Sequence, residues 1–437
     1  MNFIPSFLSI LQGISPAMTQ PTFRNFQILL KGWLFAKHRT ITQMLIASGV
    51  AEKRHHSSFH RVFSKASWSL EQVGLYTLEL AFQLLPSQVI FLCVDDTIAA
   101  KRGLKVYGVG MHRDNRLSSR KKNVTRWSHR WIVLSVLIRF PCLPEKVIAL
   151  PFLFRLSLNQ KASEKHQKTY RTKTEIALEM VRKVAKRYPN KNFHLLGDSD
   201  YSNQYMLRDL PKNVEMTGRI GMDARLYQPL AKTPQTKKRG PKSKRGALMD
   251  SPEELLKKPC HRVRHKLYAK ETSFRYQECQ GCWHHIPEKE LKVVVVDPLE
   301  GGRPKSSFFS TKLDAEALQI LEWYSWRWSI EVTFRDVKQE LGFEEPPGWT
   351  RLSVERTAPT AMLLFSWVVI WFGCQGFEKL PPENRPWYQR CKAISFAKML
   401  RTLRLEMVEH SFSEHPDRSG MFNNSHNALI SLVHALL

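Results

Sequence analysis

The sequence is short of acids: 39 Asp and Glu stand against 67 Lys and Arg in 437 residues, a formal charge of +28. With a pI near 9.9, the chain is biased toward a polyanionic partner, nucleic acid being the commonest. It also lacks a membrane-length apolar run. The longest, AMLLFSWVVIWFGC from Ala361, is too short to span a bilayer and has no polybasic flank, so it reads as a buried helix. No positive segment opens the N-terminal stretch MNFIPSFLSILQGISPAM, which reads as a first helix and not as a secretory signal. Cysteine is scarce and odd in number, seven scattered residues, which argues against a disulfide framework and for a reducing cytosol. There is no internal repeat, and GVG at 108–110 is too short for a nucleotide loop and reads as a turn. Against these absences stands a hydrophobic share of 43%, enough for the cores of about two or three domains.

Five stretches differ in pattern. Residues 1–85 alternate helical segments with polar joints, and the basic connection AEKRHHSSFHRVFSKASW suits DNA backbone contact, with a helix-turn-helix or a plain helical bundle as the two readings. Residues 86–214 turn to strand-like runs, VIFLCVDD, WIVLSVLIRF and KVIALPFLF, then a helix EIALEMVRKVAKRY and a further strand FHLLGD, which indicates an α/β sheet covered on both faces. Residues 215–310 carry the tract KTPQTKKRGPKSKRG and the strand candidates FRYQEC, LKVVVVD and SSFFST, a mainly β insertion with a basic loop. Within 311–376, a helix is expected from an N-cap at Asp314 to Gly342, followed by the apolar helix from Val354. Residues 377–437 form a polar C-terminal region.

The segment EWYSWRWSIEVTFRDVKQELG, residues 322–342, mixes indoles with charges. From Tyr324, Arg327 follows three on, Glu331 seven on and Lys338 fourteen on. On a helix these fall at about 0, −60, −20 and −40 degrees, one stripe roughly 21 Å long. Asp95 and Asp96 close the strand VIFLCV, and Asp198, with Asp200 two on, closes FHLLG. Open α/β sheets build their chemistry just beyond the carboxyl ends of strands. A single carboxylate there is commonly a turn residue. Two such ends plus an acid on a cationic stripe suit two Mg²⁺ or Mn²⁺ ions acting on phosphate. Tyr324, Arg327 and Lys338 would then hold phosphates, the Arg as a fork and the Lys as a point charge.

These residues resemble the DDE transposases of bacterial insertion sequences, in the branch with a Y-x2-R-x3-E-x6-K signature, matched by Tyr324, Arg327, Glu331 and Lys338. Similar blocks are LCVDDTIAAKRG with YGVGMH, WSHRWIVLSVLI, LLGDSDYSN, TGRIGMDARLY and KKRGPKSKRG, so the resemblance covers most of the chain to about residue 375. It implies an α/β fold with a ribonuclease-H-like core interrupted by a β insertion, behind an N-terminal helical DNA-binding region. It also implies Mg²⁺-dependent cutting at an element's ends, strand transfer into target DNA, and a homodimer that pairs two terminal inverted repeats in the bacterial cytoplasm, on the nucleoid. By the family's pattern the acids and metal ligands are Asp96, directly before Thr97, then Asp198, three before Tyr201, then Glu331. Asp95 is the alternative to Asp96, and Asp200 is the alternative to Asp198, because the Asp in GDSDY departs from the usual residue. The function alternatives are a catalytically silent DNA-binding derivative and a nuclease that cuts without joining.

Three further features need placing. Lys237, Lys238, Arg239, Lys242, Lys244 and Arg245 make a cationic arm for a minor groove or a phosphate track, or a solvated loop. Cys279 and Cys282, with Cys260, His261, His284 and His285 nearby, offer only one clean C-x2-C pair and read as strand before zinc knuckle. Trp283, Trp323, Trp326 and Trp328 read mainly as core, with stacking on a displaced base as the other use.

Overall fold

A computed structural model describes residues 3–85, 88–114, 117–119, 121–230, 245–268, 270–381 and 394–413. Five helices come first: α1 (Pro5–Gln12), α2 (Gln20–Phe35), α3 (Ile41–Ser48), α4 (Ser57–Ser64) and α5 (Leu70–Phe82). Strands β1 (Val89–Ala100), β2 (Gly110–Arg113), β3 (Thr125–Ile138) and β4 (Ile148–Ser157) follow, then α6 (Gln160–Lys165), α7 (Lys173–Arg187), β5 (Asn192–Gly197), α8 (Gln204–Arg208) and β6 (Val214–Ile220). Next come β7 (Leu226–Tyr227), α9 (Pro252–Leu255), β8 (His261–Leu267), β9 (Lys270–Trp283), β10 (Ile286–Pro298) and β11 (Ser306–Ser310). Helices α10 (Ala317–Trp326), α11 (Trp328–Leu341), α12 (Arg351–Cys374) and α13 (Phe396–Ser413) complete the described chain.

All eleven strands join in one sheet. Its first half pairs β4 and β1 antiparallel on either side of β3, and β1, β5 and β6 parallel to one another, as expected of a ribonuclease-H-like core. Parallel pairing requires a crossover, which α7 supplies between β4 and β5. The start of α7 is set by a capping box in which Thr172 and Glu175 exchange bonds. Beyond β6 the sheet continues antiparallel through β11, β10 and β9, so the β-rich stretch extends the core sheet edge to edge.

Helix α12 threads the centre of the fold against β4. By length and composition it could cross a membrane, being longer than the apolar run alone, yet 89% of its apolar window is buried inside the protein. The N-terminal helices share this core: Phe26 packs on Trp68 and on Trp367 of α12, with ring centroids 5.8 and 6.3 Å apart. Arg356 of α12 donates to the carbonyls of Ala66 (2.8 Å) and Trp68 (2.6 Å). Gly74 of α5 lies so close to β4 that a Cβ there would stand 1.8 Å from the Phe152 carbonyl oxygen.

Two expectations about the helix after β11 are corrected. The 314–342 helix is two, α10, with Glu316 and not Asp314 in the N-cap position, and α11, meeting at Arg327, whose backbone stays αR while the hydrogen bonds tighten to the i−3 pattern. Its end holds, with Gly342 left-handed at φ 59°. The basic stretch 51–68 takes in most of the α3–α4 connection, the whole of α4 and the start of the link to α5. The C-terminal region contains α13, packed on α12 with Phe396 and Phe365 ring centroids 4.4 Å apart.

Candidate active site

Asp95 and Asp96 do not close β1, which stays paired with β3 as far as Ala100, so they lie within the strand, whereas β5 stops at Gly197 and leaves Asp198 just past its end. Val94 is in register with Gly197, so Asp95 and Asp198 are the next residues outward on these two parallel strands. Alternation along β1 sends Phe91, Cys93 and Asp95 to one face. There the Phe91 ring packs on Trp323 (5.5 Å) and Trp326 (5.0 Å), Cys93 lies against the Arg327 carbonyl, and Asp95 meets the Arg327 guanidinium. His194 of β5 stacks on Phe91 (5.2 Å) and packs against Trp323 (4.6 Å), which places the β5 residues of its parity on the same face.

Arg327 is the hub. Its guanidinium donates to Asp95 at 3.2 Å and to Glu331, one turn along α11, at 2.7 Å. It also lies over the Tyr324 ring, 5.6 Å from the centroid. Burial and the neighbouring Asp198 charge push the Asp95 carboxyl well above the ordinary Asp range, against the pull of Arg327. Burial, then Asp200, likewise raises Asp198. Burial opposes the charge on Arg327, but Tyr324 and Asp95 outweigh it and raise its pKa.

Asp96 points the other way. Its oxygens accept from Lys173 at the start of α7 (2.9 Å) and from Tyr201 (3.2 Å), and Arg130 of β3 lies 3.7 Å away. Lys173 also holds Asp200. Thus Asp95 and Glu331 are drawn to one guanidinium beside Asp198, while Asp96 and Asp200 are drawn to one ammonium. Of the stripe read from sequence, Tyr324 is buried against Phe308 (4.6 Å), with burial lifting its phenol to about 12. Lys338 donates to the Ile98 carbonyl (2.6 Å) and lies 3.3 Å from Glu344, tying α11 to β1.

Chemically the donor set suits a hard divalent ion: carboxylate oxygens whose charge is met by too few cations. Among the described residues no three His, Cys, Asp or Glu side chains are close enough to share an ion, with Arg327 spanning Asp95 and Glu331. Cys279 and Cys282, three apart on β9, fall on opposite faces, and burial raises the Cys279 thiol to about 11. Lys237, Lys238, Arg239, Lys242 and Lys244 lie outside the described residues, while Arg245 donates to the His284 carbonyl (3.2 Å) and lies over Tyr227.

Sequence reasoning missed Lys173, Arg130 and Tyr201 as partners of the acids. The signal for Lys173 was present: a T-x-x-E box opening a crossover helix places its first turn at the end of the sheet where β5 finishes. It also missed the cavity of about 550 Å³ beside Arg327, lined by Arg219, Lys270, Arg303, Tyr324 and the half-exposed Trp328.

Residues 14–281 match a protein family described as DDE superfamily endonuclease, a stretch that includes Asp95, Asp96 and Asp198 and stops before Glu331. No curated protein matches the chain.

Proposed function

This chain belongs to the DDE superfamily of endonucleases, and on that premise we propose that it is a transposase. It binds the terminal inverted repeats of its own element as a homodimer, cuts at the element ends and transfers the 3′ ends into target DNA. The observation that carries this reading is the meeting of Asp95 and Glu331 on Arg327 at the carboxyl end of β5, beside Asp198.

Asp198, Glu331 and one of the Asp95–Asp96 pair would hold two Mg²⁺ or Mn²⁺ ions. Bound there, the ions would supply an activated water or 3′-hydroxyl and a stabilised leaving oxygen. The chain's own residues do the rest. Arg327 offers a fork to a phosphate once its carboxylates are otherwise neutralised. Tyr324, packed under that guanidinium, fixes its direction. Lys338 holds α11 on β1 and adds positive potential to the site. Arg219, Lys270 and Arg303 carry the positive surface onward into the adjoining cavity. The basic tract from Lys237 to Arg245 and the basic stretch at 51–68 follow the DNA backbone.

The test is a labelled DNA fragment spanning the gene's own genomic borders, incubated with Mg²⁺ or with EDTA. Cutting and joining that require Mg²⁺ are expected. Cutting without joined product would reduce the protein to a nuclease, and tight binding of the borders with no cutting would make it a silent DNA-binding derivative.

A further inference from the structure

We infer that the loop 101–107, with residues 346–352 laid beside it, is a wedge for duplex DNA: Leu104 enters a base step of the target from the minor groove, and Arg102 and Lys105 hold phosphates on either side. The inference rests on the function proposed above and adds to it the surface that takes target DNA.

The patch is an apolar tip in a cationic surround. Leu104 is 75% exposed and Trp349 63%, and Leu352 is exposed beside them in sequence. Large apolar side chains left together in water, rimmed by polar ones, mark an interaction surface. Residues 101–113, KRGLKVYGVGMHR, hold four Lys and Arg and no acid. Arg102 and Lys105 are exposed and, among the described residues, enter no ion pair. The acids of the neighbouring segment are already met: Glu344 by Lys338 (3.3 Å), Glu345 by Arg39 (3.8 Å) and Glu355 by Arg351 (3.2 Å). The charge left over is therefore positive. Two copies meeting through this patch would bring like charges together, so the surplus favours a polyanion.

A wedge must keep its shape against the stack it parts, and this loop is braced from two sides. Lys101 donates to the carbonyls of Glu344 (2.8 Å) and Pro346 (3.2 Å), and the Tyr107 N–H to the Trp349 carbonyl (2.9 Å). From β3, the Trp127 indole donates to the Gly103 carbonyl (3.2 Å) and the His129 ring bonds the Tyr107 carbonyl (2.8 Å). Strand β1 carries the loop, so Lys101 stands five residues beyond Asp96, roughly 16 Å at about 3.3 Å per residue. One duplex can reach both. An apolar wedge responds to how easily a step opens and not to which bases it contains, which suits a target of no fixed sequence better than a fixed terminal repeat.

Binding of the full chain in EDTA to an unrelated duplex, fully matched or carrying one mismatched step labelled with 2-aminopurine, reads the wedge without cutting. A mismatch removes part of the unstacking cost, so wild type should bind that duplex at least about tenfold more tightly and brighten the label. Leu104→Ala should bring the preference within about twofold and leave the salt dependence as it is, and Leu104→Met should keep the preference. Arg102→Gln/Lys105→Gln should flatten the salt slope by about 0.9 per phosphate released and keep the preference. No preference in wild type, or one that Leu104→Ala retains, would overturn the inference, and Mg²⁺-dependent cutting of border DNA by the same preparation would leave the proposed function standing. Weaker self-association of Leu104→Ala in sedimentation, with its DNA binding unchanged, would make the patch a contact between copies and also overturn it. A wild type that binds neither border nor unrelated duplex would take down both.

Discussion

Replacing Arg327 by Met removes the charge shared by Asp95 and Glu331 while keeping an unbranched side chain of similar reach. With the guanidinium about 3 Å from each oxygen, the attraction is roughly 5 kcal/mol per pair at an effective dielectric near 20. Desolvation of the ions offsets part of it, and breaking a buried pair costs about 3–5 kcal/mol in practice. The Asp95 side chain is 14% exposed and carries most of that loss; Glu331, at 35%, is screened by solvent and carries little. We therefore expect Arg327→Met to lower stability at pH 7 by about 3 kcal/mol. Because Asp95 already takes up a proton more readily than an ordinary Asp, the deficit should shrink as the pH falls toward 5. An ion filling the vacated place should also recover stability, about 2.7 kcal/mol at a hundred times its dissociation constant. Urea unfolding at pH 7 and pH 5, with and without Mg²⁺, reads all three effects. A variant within about 1 kcal/mol of wild type at pH 7, or one that gains no more from Mg²⁺ than wild type does, would refute the electrostatic account.

Three other outcomes follow from named residues. Neutralising Lys237, Lys238, Arg239, Lys242, Lys244 and Arg245 together should flatten the dependence of log K for border DNA on log salt by about 0.9 for each phosphate no longer neutralised, and an unchanged slope would remove the tract from the interface. His194 is buried, bonded to Thr217 (2.8 Å), and held down to a pKa of about 3 by burial. Its folded pKa lies below its unfolded one, so its contribution is present above about pH 6.5 and is lost as pH falls toward 3. His194→Gln should therefore make the acid limb of a stability–pH curve shallower between those values, and an unaltered limb would contradict the assignment. Arg356→Met deprives the carbonyls of Ala66 and Trp68 of their donor and loosens the α4–α5 connection from α12; a loss of about 3 kcal/mol in urea unfolding is expected, and one under about 1 would be a failure.

The strands of the core were legible because their apolar runs are continuous, WIVLSVLI becoming β3 and FHLLG becoming β5, but the acids after VIFLCV do not end β1, whose pairing with β3 carries it on to Ala100. What pattern could not supply was the face. The Asp-Thr pattern pointed to Asp96, and nothing local shows that Asp95 meets Arg327, a residue more than 200 positions away whose side of the sheet is set by tertiary packing. The i, i+4 relation of Arg327 and Glu331 was legible because it is local. Yet Tyr324 and Lys338, on the same stripe, are spent on Phe308 and on the Ile98 carbonyl, partners that no helical wheel contains. Helix α13 was missed although Phe396, Met399, Leu400, Leu403 and Met407 repeat at helical spacing, because polar and basic residues between them mask the stripe.

The most direct measurement compares wild type with Glu331→Gln on the border DNA in Mg²⁺, scoring binding and strand cleavage in the same samples. The account predicts that the variant, which keeps the shape and loses the charge, binds the borders as wild type does and cuts them at least about a hundredfold more slowly. Cutting by Glu331→Gln at the wild-type rate would contradict it, and the acid on α11 would then be no more than a partner of Arg327.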